Sequence, residues 1–314
     1  MKAVIAANYG RLDQVAVQEA DAPQVKTGEV LVEILAASVN PLDIKIVSGA
    51  MQGYFPLQLP FIVGTDFAGV VAEGAGQIEK GQRGFGRLEP LPVDGNKFGR
   101  TGAFAQFANV PVASLTGVPD ALSTETAAAL PTAAGTAWQA IYEAGKIEQG
   151  QTVLIHGGAG GVGGFAVQFA HRVGAHVIAT ASGANLDYVQ KLGASTVIDY
   201  RNQDFASIVQ GVDLIVDTVG GDTLERSFGV LRQGGLLLST VQPPDERKAT
   251  SFGVTASFVF HTTSSQRLRQ IAQHVVEGYV HVEIANVFSL QDSVAALQQV
   301  ATGRTKGKVL VSIA

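Results

Sequence analysis

From Thr152 onward, short apolar runs alternate with stretches of helical composition. The runs fall at 153–155, 176–180, 196–199, 212–216, 235–239 and 257–260. They are nearly continuous, without polar alternation, which predicts strands of a parallel sheet covered by helices on both faces. Six strands in β-α-β order predict a doubly wound sheet. The first 120 residues have a different texture, rich in β-branched residues, Gly and Pro. Runs at 30–35, 69–72 and 104–110 read as short strands joined by turns, and residues 1–7 as a first strand. Between these regions, Ser123 is a candidate N-cap, Glu125 follows in the first turn, and the Ala-rich stretch 127–145 predicts a helical connector ending at Gly145. Beyond the sixth run, Leu268, Ile271, Ala272, Val275 and Val276, then Leu290, Val294, Leu297 and Ala301, recur at helical spacing. Residues 308–313 alternate like a strand that rejoins the N-terminal β region. Glu89 to Gly102 reads as a loop. With 314 residues, the chain is expected to form two domains, 1–121 with 262–314, and 122–261.

Hydrophobic residues make up 46% and charged residues 16%, which suits a folded chain with a large core and argues against disorder. Formal net charge is −5 and no basic run exceeds a pair, so nucleic acid and anionic bilayers are not expected partners. No apolar run approaches the roughly 18 residues that span a membrane, and residues 1–7 are too short for a signal peptide; the expected location is the cytoplasm. The absence of Cys removes disulfides, thiol nucleophiles and Cys-based zinc sites together. His156, His171, His176, His261, His274 and His281 offer no pair at the spacing that aims two imidazoles at one metal, and each reads as a surface or packing residue.

The most specific local signal is Val153-Leu154-Ile155-His156-Gly157-Gly158-Ala159-Gly160-Gly161-Val162-Gly163-Gly164, an apolar run that ends in glycines before a helical stretch. Gly158, Gly160 and Gly163 satisfy G-x-G-x-x-G. In that pattern the first glycine allows the tight turn, the second lets a pyrophosphate approach the backbone, and the third permits close helix–strand packing. Amides at the helix N-terminus then face the phosphates. No Gly-Lys-Ser/Thr follows, which disfavours a nucleoside triphosphate. The second run ends in Ala179-Thr180-Ala181-Ser182-Gly183-Ala184-Asn185, with no acid to hold a ribose diol. Ser182 and Asn185, helped by Tyr200 and Arg201, are neutral or basic donors suited to a 2′-phosphate, so NADP(H) is expected over NAD(H).

With these residues in view, the chain resembles the medium-chain dehydrogenase/reductase superfamily, in its zinc-free quinone oxidoreductase (zeta-crystallin-like) branch, over essentially its whole length. The resemblance is carried by Ala37-Ser38-Val39-Asn40-Pro41-Leu42-Asp43, Gly64-Thr65-Asp66-Phe67-Ala68-Gly69-Val70-Val71, Ala134-Gly135-Thr136-Ala137, the glycine turn, Asp217-Thr218-Val219-Gly220-Gly221 and Gly307-Lys308-Val309. It implies a Rossmann-type doubly wound parallel sheet plus a GroES-like, mostly-β catalytic domain. Zinc-dependent members carry Cys where this chain has Asn40 and His where it has Thr65, so a tight zinc site is not expected here. The implied activity is reduction of a quinone or of an activated alkene. The Asn-Pro-x-Asp-x-Lys run through Lys45 also resembles the enone and alkenal reductases of the branch, and the two substrate classes stay open.

The resemblance places the nicotinamide near Asn40 and Thr136, with backbone around Phe258 to Phe260 holding its carboxamide. It assigns cofactor contacts to Gly158, Ala159, Gly160, Gly161, Val162, Gly163, Ser182, Asn185, Tyr200, Val219, Gly220, Phe258, Phe260 and Lys308. Without a metal, the chemistry requires donors that stabilise negative charge on a carbonyl oxygen and deliver a proton. Asn40, Lys45 and Tyr54 are the candidates. Each has a plainer reading: Lys45 as a solvated cation, Tyr54 as a packing residue before Pro56, Lys308 and Arg304 as surface charge. Asp43 is read as ordering a turn and Asp66 as a buried acceptor. Phe55, Phe61, Phe98, Phe104 and Phe258 offer an apolar, ring-accepting surface or simply core. An NADPH-binding sensor or structural protein with little turnover is the alternative function. The sixth strand, 257–261, is expected at an apolar sheet edge covered by a second copy, making the chain a homodimer.

Overall fold

The apolar runs become strands, although the sixth, expected at 257–261, is Thr255–Phe258, and the run at 104–110 starts as a strand only at Phe107. A computed structural model of the chain describes residues 1–94, 97–99 and 102–313. Two units are distinguishable, one made of Met1–Thr132, Thr263–Val276 and Val282–Ala314, the other of Ala133–Thr262 and Glu277–His281. The division thus falls at 132/133, eleven residues beyond the expected 121/122. Thr132 stays with the first unit because the Asp66 carboxylate accepts from both its amide, at 3.0 Å, and its hydroxyl, at 2.6 Å.

In the second unit, among the described residues, six parallel strands lie in the order Thr196–Asp199, His176–Ala181, Thr152–Ile155, Val212–Asp217, Leu231–Ser239, Thr255–Phe258. This is the doubly wound order 3-2-1-4-5-6, in which the chain reverses direction beside the first strand and leaves loops at the strands' C-terminal ends. The inner strands are buried on both faces, with Val153, Leu154, Ile155, Leu214, Ile215 and Val216 all at 0–1% exposure, which is why their sequence shows no polar alternation. Thr255–Phe258 is at the edge, as expected, and mostly exposed.

The connector is not one helix. Ser123 caps Thr124–Ala128 by accepting from Thr126 N at 3.1 Å, but Pro131 starts a separate helix, Pro131–Trp138, which widens into a π-helical turn over Gln139–Ala144. A proline lacks the N–H that a continuing helix would need, which explains the break. Gly145 keeps an ordinary helical φ of −73°, and the left-handed residue at this end is Lys146.

In the first unit the main sheet is largely antiparallel. Glu29–Val39 pairs with Asp66–Glu73 on one side and with Lys308–Ser312 on the other, so the C-terminal strand does rejoin the N-terminal β region. Phe61 and Phe104 belong to this unit's core at 3% and 0% exposure, and Phe55 is packed against it, so they do not offer a ligand surface. The expected loop from Glu89 to Gly102 contains a hairpin, Leu91–Asp94 paired with Lys97–Gly99. Residues 95, 96, 100 and 101 and the Phe98 side chain lie outside what is described.

His156 is a core residue, fully buried between Thr180 and Ser227 with its ring edge-on to Phe205 at 4.6 Å. Burial pushes its pKa down from 6.5 to about 4, against the opposing pull of Asp217. Above about pH 6.5 the imidazole is neutral whether the chain is folded or not, and costs nothing. As pH falls from there towards about 4, the unfolded chain takes up a proton that the folded one refuses, so stability is lost by up to about 3 kcal/mol. Urea midpoints measured at about pH 7.5 and about pH 5 should fall less steeply for His156→Gln than for the wild type. Equal falls would show that this residue does not set the acid slope.

Candidate functional site

The glycine turn leaves the strand Thr152–Ile155 through His156. Gly157 carries a φ of +73°, and a Cβ there would lie 2.6 Å from Thr218 Oγ1, so the left-handed residue of the tight turn is Gly157, not Gly158. Gly158 is required by packing instead: its Cβ would meet Ala179 Cβ at 3.0 Å and Val189 Cγ1 at 3.1 Å. Gly163 is the closest approach in the turn, where a Cβ would sit 2.2 Å from Gly157 O. At Gly160, the N-cap of the helix Gly161–Val173, a Cβ would meet only Gly157 O at 3.3 Å, so this side of the turn is open. The helix therefore presents the amides of Gly161, Val162 and Gly163, which have no partner within the helix, beside Ala159 at the end of the central strand.

Other expected contacts gather at the same end of the sheet. Ser182 follows the strand His176–Ala181, and Asn185 Nδ2 donates to its hydroxyl at 3.0 Å. Tyr200 follows the neighbouring strand, donates its amide to Ala181 O at 3.2 Å, and is 55% exposed. The turn is less free of acid than its local sequence suggests, since a Cβ on Gly183 would lie 2.9 Å from Asp199 Oδ2. That carboxylate is engaged, accepting from Arg201 N at 3.1 Å and Asn202 Nδ2 at 2.7 Å. Val219 and Gly220 follow Val212–Asp217, and the buried Asp217 carboxylate holds their loop by accepting from both amides, at 3.0 and 2.9 Å. Sequence reasoning missed this aspartate's role, although an acid two residues before Val219 is the signal of an Asx-type turn. Thr136 Oγ1 contacts His261 Nδ1 at 3.2 Å, His261 lies directly over Gly135, and Gln139 Nε2 donates to Phe260 O at 3.1 Å. Thr136 is thereby joined to the segment carrying Phe258 and Phe260, whose rings are partly exposed with centroids 6.3 Å apart.

In the first unit, Asn40 begins the helix Pro41–Val47, and Asp43 orders that turn by accepting from Asn40 N at 2.8 Å. The Asn40 side chain is 2% exposed and committed inward. Its amide donates to Asp66 Oδ2 at 2.9 Å and Thr65 Oγ1 at 3.2 Å, and its oxygen accepts from Lys308 Nζ at 2.6 Å. As placed, Asn40 has no amide proton left for a substrate carbonyl. Lys308 is no surface charge: it is 4% exposed, and burial lowers its pKa while Asp66 and Asp43 oppose that shift. Asp66 is the buried acceptor expected of it, taking Ser38 Oγ at 3.2 Å as well as Asn40 and Thr132. Lys45 is half-buried on the helix, and Tyr54 is 64% exposed in the turn after it. The structure thus joins Asn40 and Lys308 in one buried network with Thr65 and Asp66.

A parallel sheet in this strand order, with a glycine turn feeding a helix, defines an α/β protein of the dinucleotide-binding class. Residues 26–120 match the Alcohol dehydrogenase GroES-like domain family and residues 192–311 the Zinc-binding dehydrogenase family. The chain is 32% identical to a 2-methylene-furan-3-one reductase of Solanum lycopersicum, across 99% of its own length and 79% of the relative's. Its fold is similar to that of the quinone oxidoreductase from Coxiella burnetii, with a TM-score of 0.90, 28% identity and coverage of 100% and 99% of the two chains. It is also similar to the Escherichia coli quinone oxidoreductase complexed with NADPH, with a TM-score of 0.89, 25% identity and full coverage of both chains. The chain belongs to the medium-chain dehydrogenase/reductase superfamily.

The zinc implied by one family description does not fit the residues at Asn40 and Thr65. An amide oxygen already bound to an ammonium, and a hydroxyl already shared with Asn40 and Asp43, offer a cation neither thiolate nor imidazole. A dinucleotide does fit, because Gly160 leaves the approach to the helix amides clear.

Removing the Lys308 charge should leave Asp43 and Asp66 buried without their cation. Lys308→Met is expected to lower unfolding stability by about 3–5 kcal/mol, read as a fall in urea midpoint. A midpoint equal to wild type would show that the network does not depend on this charge.

Proposed function

We propose that the chain is a metal-independent, NADPH-dependent oxidoreductase that reduces a quinone or the activated C=C bond of an α,β-unsaturated carbonyl. The observation that carries this reading is the Gly157–Gly163 turn, open at Gly160, in a chain similar along almost its whole length to an enone-type reductase. Solved relatives named as NADPH complexes support the choice of cofactor.

In this reading, the amides of Ala159, Gly161, Val162 and Gly163 bind the pyrophosphate, and Gly160, whose own amide donates to Gly157 O at 2.9 Å, lets it approach. Ser182, Asn185 and Tyr200 donate to the 2′-phosphate, with Gly158 kept small for packing. Val219, Gly220, Thr136, Phe258 and Phe260 hold the nicotinamide end, and Lys308 and Asn40 stiffen the start of the helix Pro41–Val47. When bound, the reduced nicotinamide supplies hydride. The ammonium of Lys45 and the phenol of Tyr54 donate to the substrate oxygen as it gains negative charge, and one of them gives up the proton that completes the reduction.

The strand Thr255–Phe258 pairs with its copy in a cytoplasmic homodimer, which covers an otherwise open edge. Among the described residues no helix is long and apolar enough to cross a membrane.

With a panel of quinones and enones, the absorbance of NADPH should fall faster than its background for at least one substrate. Lys45→Met or Tyr54→Phe should reduce kcat/KM about 100-fold. No consumption with any substrate would favour a binding role without turnover, and full activity in both variants would assign the proton to solvent. Light scattering should return the mass of two chains, and a monomer mass would contradict edge pairing.

A further inference from the structure

We propose that Thr180 and His156 are positioning residues for the dinucleotide turn. A one-way chain of hydrogen bonds runs from the Gly157 amide through Thr180, His156 and Ser227 to Thr223, tying the turn to the helix Gly221–Ser227 and setting affinity for the cofactor's pyrophosphate. The inference rests on the reading of the turn as an NADPH site.

Its direction follows from proton accounting. Ser227 Oγ lies 2.7 Å from Thr223 O, and a carbonyl has no proton to give, so the single Ser227 hydroxyl proton is spent there. Ser227 must then accept at its other close contact, 3.0 Å from His156 Nε2, which makes Nε2 the protonated nitrogen. A neutral imidazole carries one N–H, so Nδ1 is an acceptor and takes the Thr180 hydroxyl proton across 3.3 Å. The Thr180 oxygen is left to accept from Gly157 N at 3.2 Å. Burial of the ring, which disfavours its charged form, is consistent with this neutral tautomer.

The chain ends where the turn is most demanding. Gly157 is the left-handed residue, and its carbonyl is the atom against which the helix presses at Gly163. Thr180 holds two successive amides of the turn, Gly157 by its side chain and Gly158 by its backbone oxygen at 2.9 Å. Thr218 Oγ1, donating to His156 O at 2.7 Å, fixes the peptide from the other side. Thr180→Val would keep the shape of the side chain and leave the half-buried Gly157 N–H and the buried His156 Nδ1 without their Thr180 partner, whereas Thr180→Ser would keep both bonds.

The test measures NADPH binding by calorimetry in wild type, Thr180→Val and Thr180→Ser, together with the ¹⁵N shifts of the His156 ring in the wild-type protein. Expected are a dissociation constant raised about tenfold in Thr180→Val, recovery to within about twofold in Thr180→Ser, and the Nε2–H tautomer. KM for NADPH should rise in step with the dissociation constant and by more than kcat falls. Unchanged binding in Thr180→Val, failure of Thr180→Ser to recover, or an Nδ1–H tautomer would each overturn the proposal. If Thr180→Val does not fold, the serine variant and the tautomer decide it by the same criteria. A wild-type chain that binds no NADPH would refute the cofactor reading itself, and the affinity claim with it, an outcome distinct from wild-type binding that Thr180→Val leaves intact.

Discussion

One close approach governs the second unit: the helix Gly161–Val173 meets the turn at so short a distance that a single methyl group on Gly163 would overlap the Gly157 carbonyl. With the helix pressed against the end of the central strand, its unpaired amides have only one direction in which to point. The partial positive charge of a helix N-terminus, worth about 0.3–1 kcal/mol to a nearby anion at an exposed site, is thereby set beside the loops of the neighbouring strands. The strand order does the rest, since it brings Ser182, Tyr200 and Val219 to that same end of the sheet from segments far apart in the chain.

Much of this was legible in the sequence because the signals are local. A strand buried on both faces must be apolar throughout, and a turn between such a strand and a helix needs its glycines. What escaped was set by partners distant in sequence or by fine backbone geometry. Lys308 reads as an exposed cation on an alternating strand, and only the pairing of Lys308–Ser312 with Glu29–Val39 places its ammonium on Asn40, 268 residues earlier. Asp199 stands beside Gly183 for the same reason: adjacent strands align their ends, whatever their order in the chain. The shift of the left-handed residue from Gly158 to Gly157 lies below the resolution of a pattern in which both are glycine. The Ala-rich connector shows the converse error, in which strong helical composition hid the interruption at Pro131.

The buried polar cluster of the first unit illustrates how a resemblance can mislead about individual residues. Asn40 occupies the position where metal-dependent relatives place a ligand, which suggests a group that faces the substrate. Here its side chain contacts Ser38, Thr65, Asp66 and Lys308, all internal. Burying two carboxylates with one ammonium costs desolvation that the mutual attraction only partly offsets. The arrangement ties together a helix start, two strands and the C-terminal strand.

The strand Lys308–Ser312 lies inside its sheet, flanked by Glu29–Val39 and Ile284–Ser289. A ribosome that adds about 5–20 residues each second therefore leaves the 268-residue interval between Asn40 and Lys308 to be bridged over on the order of 15–50 s. Until then that side of Glu29–Val39 is paired only over residues 29–33, by Phe107–Pro111, and residues 36–39 wait for a neighbour while the strands of the parallel sheet emerge. All six strands of the parallel sheet are thus synthesised before the sheet that was begun first can close, and the short gap at residues 36–39 stays open to other chains until Lys308–Ser312 arrives.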